Sequence, residues 1–192
     1  MNRILRGALT VLLLTGAIAT AIPKPGELLV GARGPASEAY TFDGCRVRVT
    51  EVRAARQVYE SPEDQADGQQ PYRTDGLLVS VGFAVDSLTR YCAVEGATLE
   101  FLGRSYTAIN NPLGGSEPGY RGYGVAVYEI SRRDLDRLGS GAEVILDQGG
   151  SFDQVRGLEW RARIRIDLAA VGNPPADAVV YLEDDRPEDV LR

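Results

Sequence analysis

A strict alternation of apolar and charged residues near the end of the chain limits the fold more than any other feature. Over residues 158–168, Leu, Trp, Ala, Ile, Ile and Leu alternate with Glu, Arg, Arg, Arg and Asp. Successive side chains of a β-strand point to opposite faces, so a period of two predicts a half-buried strand. Residues 77–86 have the same period, but mostly small residues occupy their second face, which predicts a strand at the centre of a sheet.

Shorter segments extend this pattern through the rest of the chain. Cys45 lies on the same face of a predicted strand as Val47 and Val49 and should therefore point into the core. Residues 99–109 are typical of a hairpin, and we place its tip at Gly103-Arg104 because glycine first in a two-residue loop suits a type II′ turn. Further strands are predicted at residues 28–30, 123–130, 142–146 and 178–182.

These elements predict one all-β domain. About six to eight short strands separated by turn residues are typical of an antiparallel β-sandwich. One short helix is expected in residues 131–139, where Ser131 and Gly139 can cap its two ends. We divide the chain into an apolar signal or anchor helix (1–22), a lead-in linker (23–39), the sandwich (40–172) and an acidic C-terminal tail (173–192), loose beyond its edge strand.

The N-terminal segment has the features of an export signal. Arg3 and Arg6 precede the uncharged residues 7–22, and Ala19-Thr20-Ala21 offers a cleavage site. The apolar run is slightly short for spanning a bilayer, which takes about 17–25 residues. Two outcomes stay open: cleavage releases a secreted protein, whereas retention leaves a membrane anchor with the domain outside the cell.

Composition excludes several classes of function. Histidine is absent and the formal net charge is −6. Without histidine the chain lacks the commonest general base and metal ligand, and a Ser-His-Asp triad is excluded. An acidic chain is repelled by the phosphates of nucleic acid, so nucleic acid is not expected as a partner. We predict no catalytic residues, no cofactor and no metal site.

Cys45 and Cys92 are the two cysteines of the sequence. In an exported chain an even pair is interpreted first as a disulfide. Two buried free thiols are the alternative, because unpaired cysteine packs like a small apolar residue. Two sulfurs without histidine make a poor zinc site.

The strongest candidate for an interaction site is the segment 111–123, which is rich in glycine and tyrosine. Loops of that composition recognise partners when a rigid sandwich presents them. Tyr120, Arg121 and Tyr123 are therefore the candidate partner-binding residues. The alternative is a mobile connector whose glycines serve only to make turns.

The order of these elements resembles a family of immunoglobulin-like domains of unknown function from exported proteins of Gram-positive bacteria. The likeness spans about residues 40–168 and is carried by GCRVRVTEV (44–52), GLLVSVGFAV (76–85), LEFLGRSYTAI (99–109), EPGYRGYGVAVYEIS (117–131) and AEVIL (142–146). It implies an extracytoplasmic immunoglobulin-like sandwich, secreted or tethered to the membrane, without catalytic residues. The chain differs from the commoner members in its predicted disulfide and in having no lipid-attachment cysteine.

The sequence thus predicts a noncatalytic exported module that binds a protein or another cell-envelope component through loops at one end. A structural part of an envelope assembly is the alternative, in which the polar residues 59–75 and the sheet edges make the contacts. A hydrolase with a carboxylate pair is a second alternative, because the separation of the two carboxylates in space sets that chemistry. A retained N-terminal segment would add the membrane as a partner.

Overall fold

Thirteen strands and three short helical segments make up the part of the chain that the structure describes. This computed structural model describes residues 30–42, 44–111, 114–137, 141–147, 160–172, 174–182 and 186–191. The strands in chain order are β1 (Val30–Pro35), β2 (Ala39–Phe42), β3 (Cys45–Tyr59), β4 (Tyr72–Ser87), β5 (Cys92–Val94), β6 (Gly96–Phe101), β7 (Arg104–Thr107), β8 (Gly114–Ser116), β9 (Tyr120–Ile130), β10 (Ala142–Asp147), β11 (Trp160–Ile166), β12 (Val179–Tyr181) and β13 (Asp189–Val190). The helical segments are α1 (Pro62–Ala66), a 3₁₀ helix (Arg132–Arg137) and α2 (Leu168–Val171).

Two large sheets and one small ribbon organise these strands. The five-stranded sheet has the order β1-β11-β10-β6-β7. The six-stranded sheet has the order β12-β3-β4-β9-β13, with β2 paired to β3. β5 and β8 form a separate two-stranded ribbon. The middle position of β4 confirms the central strand predicted for residues 77–86.

The two large sheets pack face to face around an apolar core. Phe83 of the six-stranded sheet belongs to the same buried cluster as Leu99 and Ile164 of the five-stranded sheet. Phe42 on β2 stacks on Trp160 of β11 with the ring centroids 5.2 Å apart, which is a direct contact between the sheets. The β-sandwich predicted from the alternating residues is therefore confirmed.

The strand directions are mixed, which corrects the prediction of a purely antiparallel sandwich. β1 runs parallel to β11 at one edge of the five-stranded sheet, and β12 runs parallel to β3 at one edge of the six-stranded sheet. An alternating pattern shows which face of a strand is buried, but it carries no information about the direction of the neighbouring strand.

The described residues contain three helical segments, whereas the sequence predicts a single helix. The predicted helix in residues 131–139 is the 3₁₀ helix, and Ser131 Oγ donates a hydrogen bond to Asp134 Oδ2 at its start. The other two segments, α1 and α2, begin after the capping residues Ser61 and Asp167, whose side chains accept backbone amide hydrogens. These segments are only one or two turns long, so little sequence periodicity could announce them.

The hairpin of β6 and β7 confirms the prediction for residues 99–109 but moves its tip by one residue. Phe101 pairs with Arg104, so the turn residues are Leu102 and Gly103 rather than Gly103 and Arg104. Both have positive φ, 54° and 72°, as a type I′ turn requires. Leucine rarely adopts this backbone conformation, and its side chain packs against the core here, which offsets the strain.

The C-terminal segment is part of the sandwich. β12 confirms the edge strand predicted at residues 178–182, and β13 corrects the prediction of a loose tail for residues 186–191. Val180 on β12 packs with Val58, Leu78 and Val127 on the outer face of the six-stranded sheet. Farther along, β13 pairs with the first residues of β9. The segment is ordered because the second face of this sheet also carries apolar side chains that need cover. Residues 183–185 lie outside the described residues.

The predicted export or anchor segment, residues 1–22, lies outside the described residues, as do residues 23–29 of the lead-in linker. The linker residues that are described include β1, an integral strand of the five-stranded sheet. Within the described part of the chain, no helix is long and apolar enough to span a membrane.

Candidate binding surface at the disulfide end

A disulfide braces one end of the sandwich. Cys45 opens β3, Cys92 opens β5, and their Sγ atoms are bonded at 2.06 Å with the Cα atoms 5.7 Å apart. This bond confirms the predicted pairing and joins the ribbon to the six-stranded sheet. The cysteines are separated by 47 residues in the sequence, and closing a loop of that length stabilises the fold by up to about 4 kcal/mol in the chain-entropy model.

Two buried serines hold the ribbon against the sheet beside the disulfide. Ser87 Oγ, at the end of β4, donates to the carbonyl oxygen of Ser116 on β8 at 2.6 Å. Ser116 Oγ lies 3.1 Å from the carbonyl oxygen of Val85 and 3.0 Å from that of Tyr120. Buried hydroxyls with such partners fix the ribbon relative to both β4 and β9.

Glycines let the ribbon pack directly on the sheet. A Cβ atom at Gly122 would lie 2.1 Å from the carbonyl oxygen of Gly115, and one at Gly114 would lie 2.6 Å from the ring of Phe83. Such close approach requires residues without side chains. The described part of the segment 111–123 is therefore mostly packed strand, whereas the sequence suggested either a binding loop or a mobile connector.

A buried carboxylate between two arginines fixes the start of β9. Asp86 on β4 is 2% exposed and lies between Arg46 on β3 and Arg121 on β9. Arg46 Nε donates to Asp86 Oδ2 at 3.0 Å, and Arg121 donates through Nε and a terminal nitrogen to Oδ1 and Oδ2 at 2.5 and 3.1 Å. Burial raises the pKa of Asp86, but the hydrogen bonds and charges of Arg121 and Arg46 lower that pKa overall.

The three predicted partner-binding residues lie on strand β9 and have different environments. Tyr120 is 40% exposed. Arg121 is bound to Asp86. The Tyr123 hydroxyl donates to Asp189 Oδ2 at 2.5 Å, and the Arg186 guanidinium lies 4.2 Å from the centroid of its ring. Tyr120 is thus the residue of the three that presents an exposed side chain, while the other two hold β9, β4 and the C-terminal segment together.

Other exposed apolar side chains join Tyr120 at this end of the molecule. Six large apolar side chains are exposed among the described residues, and four of them lie here: Leu88 (39%), Tyr91 (54%), Tyr120 and Val190 (66%). Val190 pairs with Tyr120 across β13 and β9. The Gly119 amide donates to the carbonyl oxygen of Ser87 at 2.7 Å, which brings Tyr120 and Leu88 to the same end of the sheet. We refer to these four residues as the disulfide-end surface.

Sequence reasoning did not find Leu88, Tyr91 or Val190. Leu88 and Tyr91 lie in the connection between β4 and β5, and Val190 lies in the segment interpreted as a loose tail. The signal that could have found Tyr91 is its position next to Cys92, because the predicted disulfide places that residue beside the start of β3. Nothing local in the sequence marks Val190.

The side chains described do not suggest a metal centre. No group of three or more cysteine, aspartate or glutamate residues within the described ranges could hold a metal ion.

These features define the class of the protein as a disulfide-braced β-sandwich with exposed apolar side chains at one end. No protein-family model and no curated protein matches the sequence. Among solved structures, a protein of unknown function from Listeria monocytogenes EGD-e is similar, with a TM-score of 0.45 and 9% identity over 66% of this chain and 79% of that one. The secreted protein MPT63 from Mycobacterium tuberculosis is similar with a TM-score of 0.43 and 9% identity, over 69% of this chain and 97% of that one. An uncharacterized β-sandwich protein from Clostridium difficile 630 is similar with a TM-score of 0.39 and 10% identity, over 70% of this chain and 95% of that one.

The TM-scores of these three structures are all below 0.5, so the assignment of a β-sandwich depends on the strand pairing and core of this chain itself.

Proposed function

We propose that this chain is a noncatalytic binding module that works outside the cytoplasm and recognises a protein partner through the disulfide-end surface. The observation that carries the proposal is the concentration of exposed apolar side chains at one braced end: Leu88, Tyr91, Tyr120 and Val190. Large apolar side chains that remain exposed together at one end of a molecule are typical of interaction sites. Tyrosine is enriched at protein interfaces because it buries a large ring with few rotatable bonds and keeps a polar hydroxyl.

Rigidity of the surface supports the same proposal. The disulfide, the Ser87–Ser116 contacts and the close packing of glycines hold the ribbon and β9 in one arrangement. A surface that is already ordered loses less conformational entropy when a partner binds, so more of the contact energy appears as affinity. The immunoglobulin-like character inferred from the sequence agrees with this use of one end of a sandwich.

The proposed location depends on the disulfide and on the N-terminal sequence. Disulfides persist in oxidising compartments outside the cytoplasm and are rare within it. The Cys45–Cys92 bond therefore agrees with export by residues 1–22. We propose that the domain is exported and is either secreted or kept at the membrane by that segment.

A binding role is better supported than a carboxylate-pair hydrolase. Glu100 and Glu143 are carboxylates on neighbouring strands that pair in register. A terminal nitrogen of Arg163 lies 2.8 Å from one and 3.7 Å from the other. The guanidinium therefore lies between the two carboxylates, in the space where a glycosidase would hold the glycosidic bond.

Alanine substitutions on the disulfide-end surface test the proposed function. Tyr91→Ala and Tyr120→Ala should each weaken partner binding about tenfold, as expected for aromatic residues at the centre of an interface. The partner is first captured from envelope extract with the wild-type chain and identified by mass spectrometry. The affinity of each variant for the purified partner is then measured by biolayer interferometry.

Tyr72→Ala is the matched control, because Tyr72 is 53% exposed and lies at the opposite end of β4. It should bind the partner as the wild type does. All three variants should keep the wild-type unfolding temperature, since these side chains are exposed. The proposal is rejected if the two disulfide-end variants bind normally, or if Tyr72→Ala weakens binding as much as they do.

A further inference from the structure

A cleft of about 620 Å³ opens at the end of the sandwich opposite the disulfide. It lies where β3 and β9 end and β4 begins. Residues that line it include Arg56, Tyr72, Arg73, Thr74, Glu129 and Arg132. It is separate from the disulfide-end surface, because β4 carries Tyr72 at its first position and Ser87 at its last.

The aromatic side chain in this cleft, Tyr72, is positioned by a hydrogen bond from its hydroxyl group. The Tyr72 hydroxyl donates to Glu129 Oε2 at 2.9 Å, and the Thr74 hydroxyl also donates to the Glu129 carboxylate. The hydrogen bond to Glu129 raises the pKa of Tyr72 above its ordinary value. More than half of the Tyr72 side chain nevertheless remains exposed. The cleft therefore presents an aromatic ring in a fixed position.

The charged lining of the cleft has a small excess of positive charge. Three arginines contribute to it, Arg56, Arg73 and Arg132, against two carboxylates, Asp75 and Glu129. Arg56 is held by a hydrogen bond to the carbonyl oxygen of Gly76 at 2.6 Å. The carboxylate of Glu129 is bonded to hydroxyl groups. The lining thus carries one more positive than negative charge, in a chain whose formal net charge of −6 disfavours anionic ligands elsewhere.

We propose that this cleft binds an acidic saccharide. The face of Tyr72 would pack against the C–H groups of a sugar ring. The guanidinium groups of Arg73 and Arg132 would bind its carboxylate or phosphate, since arginine presents paired donors that match both groups. The proposal does not depend on the protein partner at the other end.

Titration of the full chain with four probes tests this inference by NMR chemical-shift perturbation and calorimetry. A galacturonic acid trisaccharide carries the carboxylate, and glucose 6-phosphate carries the phosphate. Maltotriose is a neutral sugar, and inorganic phosphate is an anion without a sugar ring. One or both acidic sugars should bind and shift the amides of β4 residues near Tyr72, while maltotriose and inorganic phosphate bind about tenfold more weakly or not at all.

Four variants test the charged contact and the aromatic contact with the saccharide separately. Arg73→Gln should weaken binding about tenfold through loss of a charge-assisted pair. Tyr72→Ala should weaken it as well. Tyr72→Phe keeps the ring but loses the hydrogen bond to Glu129, so its affinity should lie between those of the wild type and Tyr72→Ala. Arg53→Gln is the control, because Arg53 is an exposed arginine of the same sheet that pairs with Glu51 and does not line the cleft.

The inference is overturned if neither acidic sugar binds, if maltotriose or inorganic phosphate binds equally well, or if Arg53→Gln weakens binding as much as Arg73→Gln. Its failure is distinguishable from failure of the proposed function, since Tyr72→Ala should weaken saccharide binding and leave binding of the protein partner unchanged.

Discussion

At the scale of single residues, Asp86 is the more deeply buried of the two buried carboxylates among the described residues. Its carboxylate is almost fully buried and accepts three hydrogen bonds from Arg46 and Arg121. Removing one member of a buried ion pair leaves the remaining charge uncompensated, which costs more than the pair itself contributes. The carboxylate therefore fixes the start of β9, where Tyr120 is presented.

Asp86→Asn should lower the free energy of unfolding by about 2–3 kcal/mol at pH 7, somewhat less than for a fully buried pair because Arg46 is partly exposed. Urea unfolding of the oxidised protein measures this difference. Glu51→Gln is the matched control: it removes an exposed ion pair to Arg53 and should change stability by about 0.5 kcal/mol or less. Equal losses in the two variants would contradict the account.

The effect of Asp86 should depend on pH in a defined direction. Its pKa is lower in the folded protein than in the unfolded chain. Such a carboxylate stabilises the fold at pH values above its unfolded pKa of about 4, and the stabilisation is lost as the pH falls through the folded pKa. The stability difference between wild type and Asp86→Asn should therefore be constant near neutrality and shrink below about pH 4. A difference that stays constant to pH 2 would refute this assignment.

At the scale of elements, close packing of the ribbon on β9 decides the shape of the disulfide end. Gly122→Ala should destabilise the protein by about 2 kcal/mol or more, because its Cβ would overlap a backbone carbonyl that cannot move aside. Gly141→Ala is the control, since no atom lies within 4 Å of its Cβ position. Thermal unfolding compares the two. Similar unfolding temperatures for both variants would show that the ribbon does not pack as described.

The positions of strands could be predicted from the sequence, but their partners could not. The strands around Cys45, in residues 77–86 and in residues 158–168 were all found, because period two is a local property. β1 pairs in parallel with β11, β12 pairs in parallel with β3, and β13 pairs with β9. All three pairings depend on contacts between residues far apart in sequence. A local pattern does not record such contacts.

The candidate binding surface follows the same division. Tyr120 was found because glycine and tyrosine cluster around it in the sequence. Leu88 lies near it because β4 pairs with β9, whereas Tyr91 is brought there by the disulfide and by the pairing of Cys92 with Ser116. The environments of Arg121 and Tyr123 also arise from distant residues, Asp86 and Asp189, so composition alone could not distinguish a bound side chain from an exposed one.

At the scale of the whole molecule, the sandwich has two ends with different chemistry. One end is braced by a disulfide and presents exposed tyrosine, leucine and valine side chains. The other contains a cleft with arginines and one exposed tyrosine. β3 and β4 run the length of the six-stranded sheet and connect the two ends. In the function proposed here, the separation of the two ends would allow one domain to contact a protein and an acidic saccharide at the same time.

Photocrosslinking in the native host tests the central claim most directly. A benzophenone amino acid replaces Tyr120 in one version of the full chain and Tyr72 in another, and crosslinked products are identified by mass spectrometry after irradiation of intact cells. The account predicts one specific protein adduct from position 120, formed outside the cytoplasm, and no such adduct from position 72. The same adduct from both positions, or none from position 120, would contradict it.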